Sequence, residues 1–341
     1  MGGRRVLPPF PASCSCYVEG YDMETNNQRF FAVSRFKVTS AMILILVWIA
    51  VCILFSVLTP NFLTLGNFMS IAQYSAITGI LSIAITIILI VGDIDLSVGA
   101  TVMLVGMRLA KIMPTSGHVG LMLLVAVGFG LLAGAMNGLL VAKIGILPFI
   151  ATLATQQVIK GIGYLMTNGI NTPFMNSDFT AIGRGAIGGI VPISFVLTLV
   201  LALLASLMLN FTPFGKKIFS VGSSRIASSL MGVDPTKVRF ICYLICGVLA
   251  ALGGLITASM NGAGLVSAGT GMEMNAIAAG VLGGASLSGG AGSMFGTLVG
   301  VILINTVTNG LNLLGVSVYW QTIVRGGLLI VAILAERLKK R

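Results

Sequence analysis

At 341 residues the chain has room for two ordinary domains, but 56% of it is hydrophobic and 9% charged, with a mean hydropathy of +1.04. A water-soluble core cannot absorb that much apolar surface with so few charges outside it, so the composition excludes a soluble enzyme and makes the bilayer the solvent. The formal net charge of +11 does not point to nucleic acid, because the basic residues sit in short segments between apolar runs, where they set topology.

Residues 1–40 read as an N-terminal tail. It is Pro/Gly/Ser/Cys-rich up to about Gly20 and continues through Met23-Glu24-Thr25-Asn26-Asn27. It lacks an apolar h-region, so it is read as a disordered cytoplasmic tail rather than a secretory signal, with Met1 or Met23 as the translation start. Residues 41–335 form the transmembrane domain and 336–341 a basic cytoplasmic C-terminus. Apolar segments of roughly 17–25 residues can span a bilayer. They are read at 41–59, 68–91, 96–113, 119–141, 146–168, 190–210, 240–260, 274–286, 294–309 and 318–335. The expected fold class is therefore all-α, a polytopic bundle of about ten transmembrane helices. The segments 274–286 and 294–309 are short and glycine-interrupted, which leaves broken or re-entrant helices open for both. Arg4, Arg5, Arg29, Arg35 and Lys37 precede the first span. Lys216, Lys217, Arg225, Lys237 and Arg239 surround the loop after the sixth, and Arg337, Lys339, Lys340 and Arg341 follow the last. Even numbers of spans separate these clusters, which puts all three on the cytoplasmic side.

Leu96-Ser97-Val98-Gly99-Ala100 is echoed by Leu287-Ser288-Gly289-Gly290-Ala291, then Asn137-Gly138-Leu139 by Asn309-Gly310-Leu311, then Lys160-Gly161 by Arg325-Gly326. The common order suggests an inverted repeat, a device of transporters.

Between the second and third spans lies Gly92-Asp93-Ile94-Asp95-Leu96-Ser97-Val98-Gly99. Asp95 is expected to N-cap a helix starting at Leu96, and Asp93 to cap or pair with a base; a cation or proton site is the functional alternative. Glu273 is expected to cap a helix or pair with a base, with solute contact as the alternative. The glycines of 262–300 read as close backbone packing, since Gly215-Lys216 is followed by Lys217 and no phosphate-binding loop is formed. In the polar segment 211–239, Ser223 or Ser224 is a candidate N-cap for a short helix through Ile226, Ala227, Leu230 and Met231, with Gly232 at C′. Asp234-Pro235 reads as N-cap and N1 of the next long helix. That short amphipathic helix suits either a lipid surface or a partner protein. Cys52, Cys242 and Cys246 lie in apolar runs and read as packing residues, while Cys14 and Cys16 in the tail imply no disulfide framework. The single His118 makes neither a metal site nor a triad, so no cofactor, metal or catalytic group is expected.

The blocks 92–99, Pro148-Phe149-Ile150-Ala151-Thr152-Leu153, 273–290 and Asn309-Gly310-Leu311-Asn312-Leu313-Leu314-Gly315-Val316 occur in that order. Together they closely resemble the permease subunits of the ribose-type (monosaccharide/autoinducer) branch of bacterial ABC importers, over about 41–335. Asp93, Asp95, Ser97, Gly99, Glu273 and Asn275 carry the motif blocks. Three departures stand out: Asp93 replaces the usual second glycine, Met274-Asn275 replaces Leu-Asp, and 221–227 departs from the usual Gly-Gly-Asn loop. The resemblance implies a permease subunit of the cytoplasmic (inner) membrane that is not itself an enzyme. Its implied partners are a second permease chain, identical or related, a separate ABC ATPase and an extracytoplasmic solute-binding protein. It makes Ser223, Ser224, Arg225, Ala227, Leu230, Met231 and Gly232 the candidate ATPase-coupling loop. For a neutral hydroxylated solute, amides and hydroxyls are the expected pathway groups, with Gln73, Asn137, Thr155, Gln156, Asn305 and Asn309 as candidates; interhelical hydrogen bonding is the other use of each. An ion-coupled secondary transporter using Asp93, Asp95 or Glu273 is the rival reading, and a membrane scaffold without solute flux a third.

Overall fold

The computed structural model describes residues 40–116 and 118–339. The tail with its alternative starts, its basic cluster and Cys14 and Cys16 lies outside the described residues, as do Lys340 and Arg341. The described residues are all-α apart from two minimal two-stranded sheets. In order it forms α1 (Ser40–Leu58), α2 (Leu65–Ile90), α3 (Val98–Ser116), α4 (Val119–Gly138) prolonged by a π-helical turn (Leu139–Lys143), and α5 (Pro148–Thr167). Then follow β1 (Thr172–Pro173), α6 (Ser177–Arg184), β2 (Ala186–Ile187), β3 (Val191–Pro192), α7 (Ile193–Phe211), α8 (Pro213–Ser223) and α9 (Arg225–Leu230). The last elements are α10 (Pro235–Asn261), β4 (Ala263–Gly264), α11 (Met272–Leu282), α12 (Met294–Leu313) and α13 (Val318–Lys339). Each apolar segment falls on a helix, and the short helices α6, α8 and α9 lie in stretches between them.

Among the described residues five helices are long and apolar enough to cross a bilayer: α2, α4 with its π turn, α7, α10 and α12. α3, α5 and α13 have comparable length but carry polar interruptions, such as Arg108 and Lys111, Gln156 and Lys160, and Gln321 and Arg325. Of the two short segments, 274–286 takes the broken alternative: α11 has 11 residues, a rise of about 17 Å against a hydrocarbon core of about 30 Å, so it does not cross alone. α12 is instead an unbroken helix of 20 residues.

α2 and α10 form the centre. From Ile80 to Val91 every residue of α2 and its C-cap is buried, the pattern of a helix apolar all round and enclosed by others. α10 packs against α2, α3 and α4. Its approach to α4 uses glycine on both sides: a Cβ on Gly130 or Gly134 would overlap the carbonyls of Gly247 or Tyr243, and one on Gly247 would overlap that of Gly130. Association in lipid relies on such van der Waals contact, since tails and side chains are equally apolar. Hydroxyls add bonds between helices, with Thr86 Oγ1 and Thr297 Oγ1 2.9 Å apart and Thr198 Oγ1 donating to the Ala76 carbonyl at 2.9 Å. Trp48 Nε1 donates to Thr306 Oγ1 at 3.0 Å, tying α1 to α12. The outer faces of α1, α4 and α7 expose Val57, Leu124, Leu132, Leu203 and Leu204, as a lipid-facing surface does.

α10 spans about 40 Å at 1.5 Å per residue and so has two well-separated ends. At its C-terminal end, α6 is docked: Ser259 Oγ donates to the Phe179 carbonyl and accepts from Gly183 N at 2.8 Å. Near this end β1 pairs with β4, while β2 and β3 form a hairpin following α6. At its N-terminal end Asp234 accepts from the backbone N–H groups of Thr236 and Lys237, with Pro235 in the first turn, as the sequence predicts. The Lys237 N–H contributes most to holding the Asp234 carboxyl below its ordinary range. α8 and α9 lie at this end.

Candidate functional site

The N-terminal end of α10 holds a junction of four chain segments. α2 stops at Ile90, and Gly92 at φ +83° turns the chain into the linker 91–97. The carboxylate of Asp93 is fully buried there and takes two guanidiniums. Arg239 of α10 donates Nε to Oδ2 at 2.8 Å and Nη2 to Oδ1 at 3.0 Å. Arg225, the first residue of α9, donates Nη2 to Oδ1 at 2.8 Å and to the Gly92 carbonyl at 3.1 Å. Charge-assisted and partly bidentate bonds of this kind are the stronger class, and they let a buried carboxylate remain compensated. Asp93 therefore pairs with bases, one of the two roles expected of it.

Glycines bring the backbones together here. A Cβ on Gly222 would overlap the Ile90 carbonyl oxygen and stand 2.6 Å from Gly290 N. Gly290 N itself donates to Ile90 O at 2.8 Å. A Cβ on Gly289 would come within 2.5 Å of the Gly222 carbonyl oxygen. The glycine-dense stretch thus wedges against the end of α8 and the end of α2, the backbone-packing use expected of it.

Asp95 is corrected. α3 begins at Val98, not Leu96, and Asp95 lies before it, accepting from Ser97 N at 2.8 Å and Ser97 Oγ at 2.7 Å. A directed chain leads into it: Thr155 Oγ1 donates to Asn137 Oδ1 at 2.6 Å, and Asn137 Nδ2 donates to Ser97 Oγ at 2.7 Å. Asn137 Nδ2 also reaches the Asp95 carboxylate at 3.2 Å, and Cys246 Sγ lies 3.6 Å from Oδ2. Four elements (the linker, α4, α5 and α10) share this buried network. Among the described residues its donors are all neutral, and they donate toward the carboxylate rather than leaving oxygens free for a cation. Satisfied networks of this kind fix helix register.

The other pathway candidates do not converge with it. Gln73 Nε2 donates to the Gly183 carbonyl on α6 at 3.1 Å, and Asn305 Nδ2 turns back to Val301 O on its own helix at 2.9 Å. Gln156 Nε2 donates to Glu273 Oε1 at 3.3 Å. Glu273 neither caps α11, whose N-cap is Gly271, nor pairs with a base among the described residues. Its Oε2 is buried without a hydrogen-bond partner, as is Asn309 Oδ1. A cavity of about 400 Å³ opens between α11, α12 and α13, with Thr270, Asn275, Thr322 and Arg325 as its polar lining. Of the motif residues only Asn275 reaches it, while Gly99 packs against Glu273 and Gly269.

In the candidate coupling loop the capping expectation resolves to Ser224, whose Oγ accepts from Ala227 N at 3.2 Å; Ser223 is the last residue of α8. Gly232 follows the C-cap Met231 with φ +80°. α9 turns Ile226, Leu230 and Met231 outward, at 77%, 84% and 69% exposed. Sequence reasoning missed Arg239 as a structural residue: it was read as a topogenic charge, but it is buried against Asp93. Its helical phase with Cys242, Tyr243 and Cys246 is the signal that would have found it, since those positions share a buried face.

The family described as branched-chain amino acid transport system / permease component matches residues 67–333. The ribose import permease protein of Escherichia coli K12 is 36% identical over 319 residues, covering 92% of this chain and 98% of the relative. That of Bacillus subtilis 168 is 38% identical over 291 residues, 84% of this chain and 89% of the relative. The D-allose transport system permease protein of Escherichia coli K12 is 33% identical over 287 residues, 84% and 88% of the two chains. No solved structure matches the chain.

Proposed function

The chain belongs to the branched-chain amino acid transport system permease component family and is a permease subunit of an ATP-binding-cassette importer; from that premise we propose that its cargo is a monosaccharide and that α8–α9 is the segment on which the ATPase acts. The sugar cargo rests on the named substrates of the relatives, ribose and D-allose. The chain is the passage and not an enzyme; ATP hydrolysis belongs to a partner subunit.

In this proposal the α8–α9 end of the bundle and both chain termini face the cytoplasm, while the α6 end faces the solute-binding protein. The domain, 41–335, crosses the membrane about ten times in two inverted halves, one crossing being made by α11 together with the stretch 265–271 before it, and pairs with a second permease chain. Gln73, Asn137, Thr155, Gln156, Asn305 and Asn309 are proposed as solute-pathway residues, with the motif residues Asp93, Asp95, Ser97, Gly99, Glu273 and Asn275 setting their frame. Ser223, Ser224, Arg225, Ala227, Leu230, Met231 and Gly232 form the proposed coupling loop.

The observation that carries the ATPase assignment is the outward apolar face of α9. Ile226, Leu230 and Met231 stand exposed on a capped helix flanked by Lys216, Lys217 and Lys237. A short amphipathic helix of this kind seats in an apolar groove of a partner. A photoreactive amino acid at position 230, irradiated in membranes holding the whole importer, is expected to cross-link to the ATPase subunit. Cross-linking to lipid alone would return α9 to the role of a membrane-surface helix.

A further inference from the structure

Among the described residues, α9 has few ties to the rest of the chain. Ser228 Oγ meets Ser220 Oγ of α8 at 2.7 Å, and Ala227 N is held by the cap Ser224. Every other side-chain hydrogen bond of α9 runs through Arg225, to Asp93 and to the Gly92 carbonyl. Arg225 is 46% exposed in its side chain, whereas the Asp93 it grips is fully buried. The carboxylate thus receives one guanidinium from the exposed helix α9 and one from inside the bundle, on α10. Beyond Asp93 the linker enters the Asp95–Ser97–Asn137–Thr155 network, which anchors it to α4 and α5. Beyond Arg239, α10 continues to Ser259, where α6 is held at the opposite end.

We propose that Asp93 is the positioning residue of coupling: with Arg225 and Arg239 it forms an ionic clamp through which displacement of α9 is delivered together to the 91–97 linker and to α10. The clamp rests on the reading of α8–α9 as the segment moved by the ATPase. Its physical logic is stiffness. A carboxylate held by two guanidiniums in one geometry transmits a pull along both, while the apolar face of α9 is left free for its partner. Contacts that merely pack α9 would let it slide; a pair anchored on a buried carboxylate resists, since separating the charges leaves Asp93 short of a partner in a buried site. Asp93 is a positioning residue: it acts through Arg225 and Arg239.

The test uses the complete importer (permease, ATPase and binding protein) in proteoliposomes, with ribose as the probe solute. The quantity read is ATP hydrolysed per ribose taken up. Asp93→Asn and Arg225→Gln are each expected to raise that ratio at least fivefold. The double variant is expected to match the worse single variant within twofold, because both substitutions break one link. Effects that multiply in the double variant would overturn the clamp and leave Arg225 as a surface contact of the ATPase. A wild-type ratio in either single variant would overturn it as well. If Asp93→Asn does not accumulate in the membrane, Arg225→Gln decides alone, since the buried Asp93–Arg239 pair persists in it. In that case Arg225→Lys, which keeps a cation on Asp93, is expected to restore the ratio to within twofold, and failure to restore it overturns the clamp. Absence of ATP-dependent uptake by the unaltered importer would instead defeat the proposed function, so the two failures are distinguishable.

Discussion

Gly222→Ala tests whether the junction is held together by backbone contact. The new Cβ would overlap the Ile90 carbonyl oxygen and stand 2.6 Å from Gly290 N. Neither obstacle is a side chain that can rotate away. Relief requires α8 to retreat from the end of α2, which disturbs the 2.8 Å bond from Gly290 N to the same carbonyl. Overpacking a well-filled site costs about 1–3 kcal/mol, and a buried donor left unpaired costs a similar amount. The two overlap, so a loss of roughly 2–4 kcal/mol is expected. Gly161→Ala is the control: it lies within α5 with nothing within 4 Å of a Cβ, and is expected to be neutral or up to about 1 kcal/mol stabilising. Thermal unfolding of the purified proteins in one detergent measures both. Gly222→Ala unfolding with the same midpoint as Gly161→Ala would refute the packing argument.

Asn137→Ala removes two donors and one acceptor from the Asp95 network, leaving the carboxylate short of a partner and Thr155 Oγ1 with the Thr152 carbonyl alone. A loss of about 1–3 kcal/mol is expected in the same unfolding assay, and an unchanged midpoint would show that the network does not hold α4 to the linker. Leu230→Asp lies on an 84% exposed side chain, so the unfolding midpoint is expected to stay while co-purification of the ATPase falls at least tenfold. Full retention of the ATPase would remove Leu230 from the docking face.

Much of the fold is legible because membrane helices announce themselves by apolar length, and the caps at Ser224 and Asp234-Pro235 by local hydrogen-bonding chemistry. What escaped depends on distance. Arg239 meets Asp93 across 146 residues of sequence; its helical phase with Cys242, Tyr243 and Cys246 marks a buried face but does not say which acid it meets there. α6 and its hairpin are too short and too polar for a hydropathy signal, yet they close one end of α10. Asp95 looked like a cap because a carboxylate before a helix usually is one; the chain spends two more residues before α3 and gives that carboxylate to Ser97 and Asn137 instead. Asn305 and Asn137 are alike in sequence, each an amide in an apolar run. One bonds its own helix and the other joins two further elements, the linker and α5, a difference set by which face of the helix meets a neighbour.

The central claim is that this chain is a passage driven by a partner's ATP. Uptake of labelled ribose into proteoliposomes containing the permease, its ATPase and its binding protein tests it most directly. The account predicts uptake that requires ATP on the ATPase side and the binding protein on the other, and that persists when a protonophore or sodium ionophore is added. Uptake by the permease alone, without ATP and abolished by an ionophore, would contradict it.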